Sequence, residues 1–252
     1  MSVLVVIPAR YGSVRFPGKP LALLQGKPVI QHVYERAVQA ARMDDVVVAT
    51  DDERIRDAVQ RAGGKAVMTS PDARSGTERA AEVAQTHAAQ VILNVQGDEP
   101  LIHPEQLDQV AEFLLAHRAI PMATLMTRLT RREELANPNV VKVVVDQDGY
   151  ALYFSRSPIP FIKSEGGGSR VEGHPSPYWK HIGLYGYQRQ LLLRFPHLEP
   201  TPLEQLEQLE QLRALEHGYQ IRVLETAHDT IGVDTPDDLQ RVEALLTGNV
   251  SP

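Results

Sequence analysis

The chain has 252 residues, enough for one large domain or two small ones, with the composition of an ordinary globular protein. A formal net charge of −6 argues against general affinity for nucleic acid or membrane surfaces, so any cluster of cations is local. The absence of cysteine removes disulfides, thiolate catalysis and cysteine-ligated zinc, and fits a reducing compartment.

The opening MSVLVVIPAR has no basic leader, and its apolar run from Val3 to Ile7 stops at Pro8. It does not read as a signal peptide, and no stretch approaches the ~20 apolar residues that span a bilayer. A cytoplasmic protein is expected. Asn249-Val250-Ser251 matches a glycosylation sequon, which without a secretion signal reads as an accident of spacing.

Val3 to Ile7 has the continuous β-branched pattern of a strand buried on both faces. Pro28 then opens an amphipathic helix with Ile30, Val33, Tyr34, Ala37 and Ala41 on one face. DVVVAT (45–50) reads as a second buried strand, and Glu53 to Ala62 as a helix closed by Gly63-Gly64. KAVMT (65–69) is a short strand, and the polar SPDARSGTER (70–79) leads into a helix through His87. QVILNV (90–95) is a strong strand, and Pro104 starts a helix to about His117. This alternation predicts a single α/β domain with a mostly parallel sheet flanked by helices.

The middle of the chain changes character. VVKVVVD and YALYFSR flank an Asp148-Gly149 turn and read as a hairpin, and WKHIGLYGY (179–187) as a further strand. Residues ~125–200 are therefore expected as an antiparallel insertion, with KSEGGGSRVEGHPSP (163–177) a flexible loop within it. In PLEQLEQLEQLRAL (202–215) Leu203, Leu206, Leu209, Leu212 and Leu215 recur every third residue. On one helix they would drift by about 60° per step and cover a wide apolar arc, packing on the sheet and on a partner subunit. YQIRVLE follows as a strand and DTPDDLQRVEALL as a final helix.

In open α/β sheets ligands sit beyond the carboxyl ends of the strands, where VIPARYGSVRFPGKPL (5–20) places Arg10, Arg15 and Lys19. Glycines permit turns, prolines stiffen the loop, and the three cations can neutralise phosphates or a carboxylate. The loop is not a Walker A motif: five residues separate Gly12 from Gly18, and Pro20 follows Lys19. No G-x-G-x-x-G follows a strand, so a dinucleotide reading is weak.

NVQGDEP puts Asp98 just past a strand, where it suits either a hard cation such as Mg²⁺ or ordinary turn chemistry. In GVDTPDDL, Thr235 reads as an N-cap, Pro236 as the first helical residue, and Asp237 and Asp238 as acids that favour the helix dipole. Asp234 is not needed for that cap. Glu204, Glu210 and Gln211 read as the wet side of the leucine helix. His181 and Tyr185, four apart on a strand, share one face, and are packing residues if that face is the core.

With those blocks in view, IPARYGSVRFPGKPL closely resembles the signature loop of the 3-deoxy-manno-octulosonate (Kdo) cytidylyltransferases. VVATDDERI, SGTERAAEV, NVQGDEPLI, NPNVVKVVVD, YALYFSRSPIP, HIGLYGY, PLEQLEQLEQLR and GVDTPDDL resemble further blocks of that family, in order. The Gly-rich segment 163–177 departs from the family's pattern. The resemblance implies a Rossmann-like nucleotidyltransferase fold whose antiparallel insertion mediates a homodimer. It implies transfer of CMP from CTP to Kdo with release of pyrophosphate, activating the sugar for lipopolysaccharide synthesis. Arg10, Lys19 and Asp98 would be catalytic. Ala9, Arg10, Lys19, Ser75, Gly76, Thr77 and Gln96 would hold the nucleotide, and Arg15, Arg156, His181, Tyr185, Glu204, Glu210 and Gln211 the sugar. Asp98 and Asp234 would bind Mg²⁺. A cytidylyltransferase for another acidic sugar, such as a sialic acid, and a non-catalytic nucleotide-binding assembly protein are the rival expectations.

Overall fold

The computed structural model describes residues 2–13, 15–163 and 177–247; most of the Gly-rich loop and the sequon lie outside them. β1 (Val3–Ala9) is buried along its whole length, as its unbroken apolar run requires. Val3, Val5 and Ile7 face one core and Leu4 and Val6 the other, so the sheet is covered on both sides. A loop and a 3₁₀ turn (Lys19–Leu21) lead to the small hairpin β2 (Leu23–Leu24) and β3 (Lys27–Pro28). α1 (Val29–Ala37) has Pro28 as its N-cap and ends before Ala41, which lies outside the helix.

β4 (Asp45–Thr50), α2 (Glu53–Arg61), β5 (Ala66–Met68), α3 (Gly76–Thr86), β6 (Val91–Val95) and α4 (Pro104–Ala116) follow in the expected order. The Asp52 and Ser75 side chains accept the Arg54 and Glu78 amides at 2.9 and 3.2 Å, starting α2 and α3. β1 runs parallel to β4 and β6, and β4 parallel to β5.

β7 (Met122–Arg128) is an apolar strand not anticipated from the sequence pattern, followed by the short helix α5 (Arg132–Ala136). β8 (Lys142–Val145) and β9 (Ala151–Ser155) form the expected antiparallel hairpin, its turn closed by Gly149 at φ 78°. β10 (Trp179–Gln188) does not belong to a separate insertion. It lies in the main sheet, antiparallel to both β6 and β7, and only the β8–β9 hairpin hangs off the sheet's path. After α6 (Arg189–Arg194) the chain forms α7 (Pro202–Glu207) and α8 (Gln211–Glu216), then β11 (Ile221–Glu225) parallel to β7, and α9 (Pro236–Leu246).

The main path runs β11-β7-β10-β6-β1-β4-β5, and every strand in it except β10 points the same way. Loops after β1, β5, β6 and β11 therefore open on one edge of the sheet, where the antiparallel β10 begins. That edge is where the candidate residues gather.

The single leucine helix expected over 202–215 is broken. Gln208 is left-handed (φ 53°, ψ 47°), which ends α7. The Glu207 and Gln208 carbonyls turn to accept the Arg156 guanidinium at 2.7 and 3.2 Å instead of continuing the helical ladder. Leu209 and Leu212 are buried as a result, while Leu206 is 80% exposed.

The loop after β6 approaches β1 so closely that a Cβ on Gly97 would sit 2.7 Å from the Pro8 carbonyl oxygen. Backbone cannot step aside as a side-chain tip can. Gly97→Ala is expected to lower stability by about 1–3 kcal/mol, the usual cost of overpacking. Equilibrium denaturation checks this; an unchanged midpoint would show that the two loops are not held together.

Candidate functional site

The β1 loop folds back because Gly18, at φ 72°, donates its amide to the Tyr11 carbonyl at 2.9 Å. A Cβ there would lie 3.0 Å from the Tyr11 ring, so both conformation and space call for glycine. The turn brings Lys19 inward between two acids from distant loops. Its ammonium donates to Asp98 Oδ2 and, at 3.0 Å, to Asp234 Oδ1. Arg15 also pairs with Asp234 Oδ1, at 3.0 Å. Burial alone would lower the pKa of Lys19, but the two carboxylates outweigh it and hold it above the ordinary 10.5. Its contribution to stability is thus present below that value and lost as pH rises through the raised pKa.

Asp234 is free for this task because α9 is capped without it. Thr235 Oγ1 accepts the Asp238 amide at 3.2 Å, and Asp238 returns the contact to the Thr235 amide at 2.9 Å. Two carboxylates converging on one cation, at a strand edge beside further cations, form a donor set that suits a hard divalent ion. The Lys19 ammonium marks where positive charge is favoured.

Around this point lies a cleft of about 560 Å³, within the range of small-molecule sites. Ala9, Arg10, Arg15, Lys19, Ser75, Gly76, Gln96, Asp98 and Asp234 line it. Thr77 does not. It is buried, and its hydroxyl donates to Glu210 Oε2 at 2.5 Å. Arg74 and Arg79 also line the cleft and were not singled out from sequence. Arg79 is buried and braces the floor, pairing with Asp51 at 2.6 Å and donating to Thr69 Oγ1 at 2.7 Å. Its place in the helix after SGT gave no sign of that.

A second cleft of about 430 Å³ adjoins the first and shares Gln96, Gln208 and Asp234 with it. Arg156, His181, Tyr185, Glu210 and Gln211 line it; Arg15, expected on the sugar side, lines the first cleft instead. Arg156 shapes the wall, its guanidinium donating to the carbonyls of Glu207, Pro138 and Gln208. His181 Nε2 lies 2.9 Å from Thr124 Oγ1, and burial pushes its pKa down to about 3, so it faces the cleft as a neutral ring. Tyr185 stands against it, ring centroids 5.3 Å apart. Glu210 Oε1 and Gln211 Nε2 are buried with no hydrogen-bond partner among the described residues. Such orphaned groups call for a polar ligand.

Gln208, Lys180 and Glu99 are among the residues of the second cleft that were not singled out from sequence. Gln208 sits at the unanticipated helix break. Lys180 donates to Asp229 at 2.7 Å and to the Thr230 carbonyl at 2.8 Å. Glu99 has one buried oxygen with no partner among the described residues, and burial together with neighbouring Asp98 pushes its pKa up to about 8. Its position beside Asp98 in NVQGDEP was the available signal.

Residues 4–222 match the cytidylyltransferase family model. The 3-deoxy-manno-octulosonate cytidylyltransferase of Geobacter sulfurreducens is 52% identical over 245 residues, covering 96% of this chain and 98% of its own. That of Syntrophotalea carbinolica is 55% identical over 249 residues, covering 98% and 100%. The chain belongs to the 3-deoxy-manno-octulosonate cytidylyltransferase family. The solved structure of a CMP:2-keto-3-deoxy-manno-octonic acid synthetase complexed with CTP superposes with a TM-score of 0.89 at 46% identity, covering 99% of this chain and 100% of that one. The expected α/β nucleotidyltransferase fold is thereby established for this family member.

Glu204 stands apart from both clefts. It grips Arg213 through two hydrogen bonds, at 2.8 and 2.5 Å, and closes the N-terminus of α7 on the Thr201 amide. Their side chains are 13% and 7% exposed. Glu204→Gln is expected to lower stability toward the low end of the roughly 3–5 kcal/mol that breaking a buried pair costs. Thermal and chemical denaturation measure this; unchanged stability would return Glu204 to the list of binding candidates.

Proposed function

We propose that the protein transfers CMP from CTP to the anomeric hydroxyl of Kdo, releasing pyrophosphate and activating the sugar for lipopolysaccharide synthesis. The observation that carries this reading is the pair of clefts meeting at Gln96 and Asp234, one rich in cations and the other in unpartnered polar groups. A triphosphate suits the first. A polyhydroxylated acid suits the second.

In this reading Arg10 and Lys19 hold the phosphates, while Ala9, Ser75, Gly76 and Gln96 border the nucleotide; Thr77 acts from behind by positioning Glu210. Asp98 and Asp234 would hold Mg²⁺, which when bound supplies charge neutralisation at the phosphates. Lys19 then moves its ammonium from the acids toward phosphate oxygens, a short swing for a flexible side chain. Glu210 and Gln211 receive sugar hydroxyls on their open hydrogen-bonding atoms, and neutral His181 and Tyr185 form the wall against which the ring packs. No covalent intermediate on the protein is needed. Catalysis is alignment of the hydroxyl with the α-phosphorus and stabilisation of the charge that develops. The compartment that supplies CTP, the cytoplasm, is the proposed location.

The direct test is pyrophosphate release from CTP with a panel of acidic sugars and Mg²⁺. Turnover with Kdo and little with a sialic acid is expected; the reverse would move the protein to the rival sugar class, and none would leave a nucleotide-binding protein.

Arg15 stands at the boundary, paired with an acid that both clefts share. We place it on the sugar carboxylate. Arg15→Ala should then raise KM for Kdo well above its effect on KM for CTP, because one substrate loses ground-state binding. Equal effects would put Arg15 on the phosphates.

We further propose a homodimer through the hairpin and α7. Among the described residues β9 pairs only with β8 and exposes Leu152, and α7, held to β9 by the Ser155 hydroxyl donating to Glu207 at 2.6 Å, exposes Leu206. Sedimentation at micromolar concentration should give twice the 28.0 kDa chain mass, and Leu206→Glu should shift it toward monomer. A wild-type monomer would contradict this.

A further inference from the structure

Behind the wall of the second cleft, Lys142 on β8 is fully buried. It pairs with Ser155 of β9 on one side and Lys180 of β10 on the other. Its ammonium reaches the open end of the hairpin, where β8 begins and β9 ends. There Nζ donates to the Asn137 carbonyl at 3.1 Å, to the Val140 carbonyl at 2.6 Å and to the Arg156 carbonyl. An ammonium has three donors, and each of these has an oxygen. Burial pushes its pKa down to about 8, with the Arg156 guanidinium adding to the fall and Glu207 opposing it, so the group keeps its proton at neutral pH.

The three carbonyls belong to the cleft wall. Asn137, Val140 and Arg156 line the second cleft, whereas Lys142 does not. Arg156 is gripped on its other side too: its amide donates to Glu207 Oε2 at 2.9 Å, and the Ser155 hydroxyl holds Oε1 of the same carboxylate. With the backbone fixed on both sides, the guanidinium is aimed at the Pro138, Glu207 and Gln208 carbonyls. Those contacts hold the break between α7 and α8, beyond which Glu210 and Gln211 enter the cleft. A charge buried this deeply costs more to desolvate than an apolar side chain of equal length. What the ammonium supplies is geometry, one fixed point shared by three wall residues.

We propose that Lys142 is a positioning residue for the second substrate. Through three backbone carbonyls it sets where the segment 137–140 and Arg156 stand, and through Arg156 it sets the approach of Glu210 and Gln211. This role rests on the second cleft being the sugar side. Asn137, Val140 and Arg156 are absent from the lining of the first cleft, so the effect falls on one substrate.

The test compares Lys142→Met, which keeps the length and loses the charge, with a chemically restored ammonium. The chain has no cysteine, so Lys142→Cys carries a single thiol. Alkylated while unfolded with 2-bromoethylamine and then refolded, it regains an ammonium at lysine length. Treated with 1-bromopropane, it gains a neutral chain of the same length. The methionine and propyl forms should lower kcat/KM for Kdo by up to about 10²-fold, the scale of misplacing a substrate by about 1 Å, and leave KM for CTP within about twofold. The aminoethyl form should recover most of that loss relative to wild type refolded in parallel. Hydrogen exchange across α7 and α8, read without substrate, should be faster in the neutral forms and restored in the aminoethyl form. Equal losses for both substrates, a methionine form with unchanged kcat/KM for Kdo, or no difference between aminoethyl and propyl forms would overturn the role. So would neutral forms that fail to fold beside a folded aminoethyl form, since the ammonium would then serve folding alone. A wild type without turnover of Kdo would sink the sugar reading instead; the exchange comparison then decides for the brace if the aminoethyl form alone is protected, and against it otherwise.

Discussion

The contact on which the rest of the site depends is the Lys19 ammonium between the Asp98 and Asp234 carboxylates. It ties together three loops that are remote in sequence, following β1, β6 and β11. At an effective dielectric near 20, each such pair is attracted by about 4 kcal/mol at 4 Å, before the cost of removing the charges from water. Burial of Lys19 sets that cost, and the raised pKa shows that attraction exceeds it. One ammonium against two carboxylates leaves a deficit of positive charge, which Arg15 offsets by pairing with Asp234. The acids are thus held in place by two cations from the loop after β1.

The sheet explains why two clefts meet there. With every strand of the main path except β10 parallel, the ends of β1, β5, β6 and β11 deliver cations, a helix N-terminus and acids to one edge. Reversed β10 begins at that same edge and contributes Lys180, His181 and Tyr185 to the second cleft. The break between α7 and α8 completes the wall by turning Glu210 and Gln211 inward. The two clefts share Gln96 and Asp234 because the antiparallel strand sits next to β6.

Sequence patterns reached the parallel half of this architecture because its signals are local. Unbroken β-branched runs mark strands buried on both faces, and Thr235 announces its helix as a side-chain cap; Asp52 and Ser75 cap theirs in the structure without having been singled out as caps. The same locality hid the placement of β10, whose neighbours β6 and β7 are set by long-range pairing. It also misled at the leucine repeat. A spacing of three is compatible with one helix, and nothing within 202–215 shows that Arg156, from the strand beyond, captures the carbonyls of Glu207 and Gln208. Among the candidate site residues, those of the β1 loop and Asp98 were legible from position at strand ends. Glu204, by contrast, matched a family block yet spends its carboxylate on Arg213, and Glu99 and Lys180 enter the second cleft through contacts visible only in three dimensions.

The account rests on Asp98 holding charge at the meeting point of the loops and, with Asp234, the divalent ion. Steady-state kinetics of Asp98→Asn at saturating Mg²⁺ and CTP tests this most directly, since asparagine keeps size and one acceptor oxygen but loses the charge. A folded variant with kcat lowered by roughly 10²–10³-fold, the cost of removing one strong electrostatic stabiliser, is the predicted result. Near-normal turnover by a folded Asp98→Asn protein would reduce Asp98 to a turn residue and contradict the account.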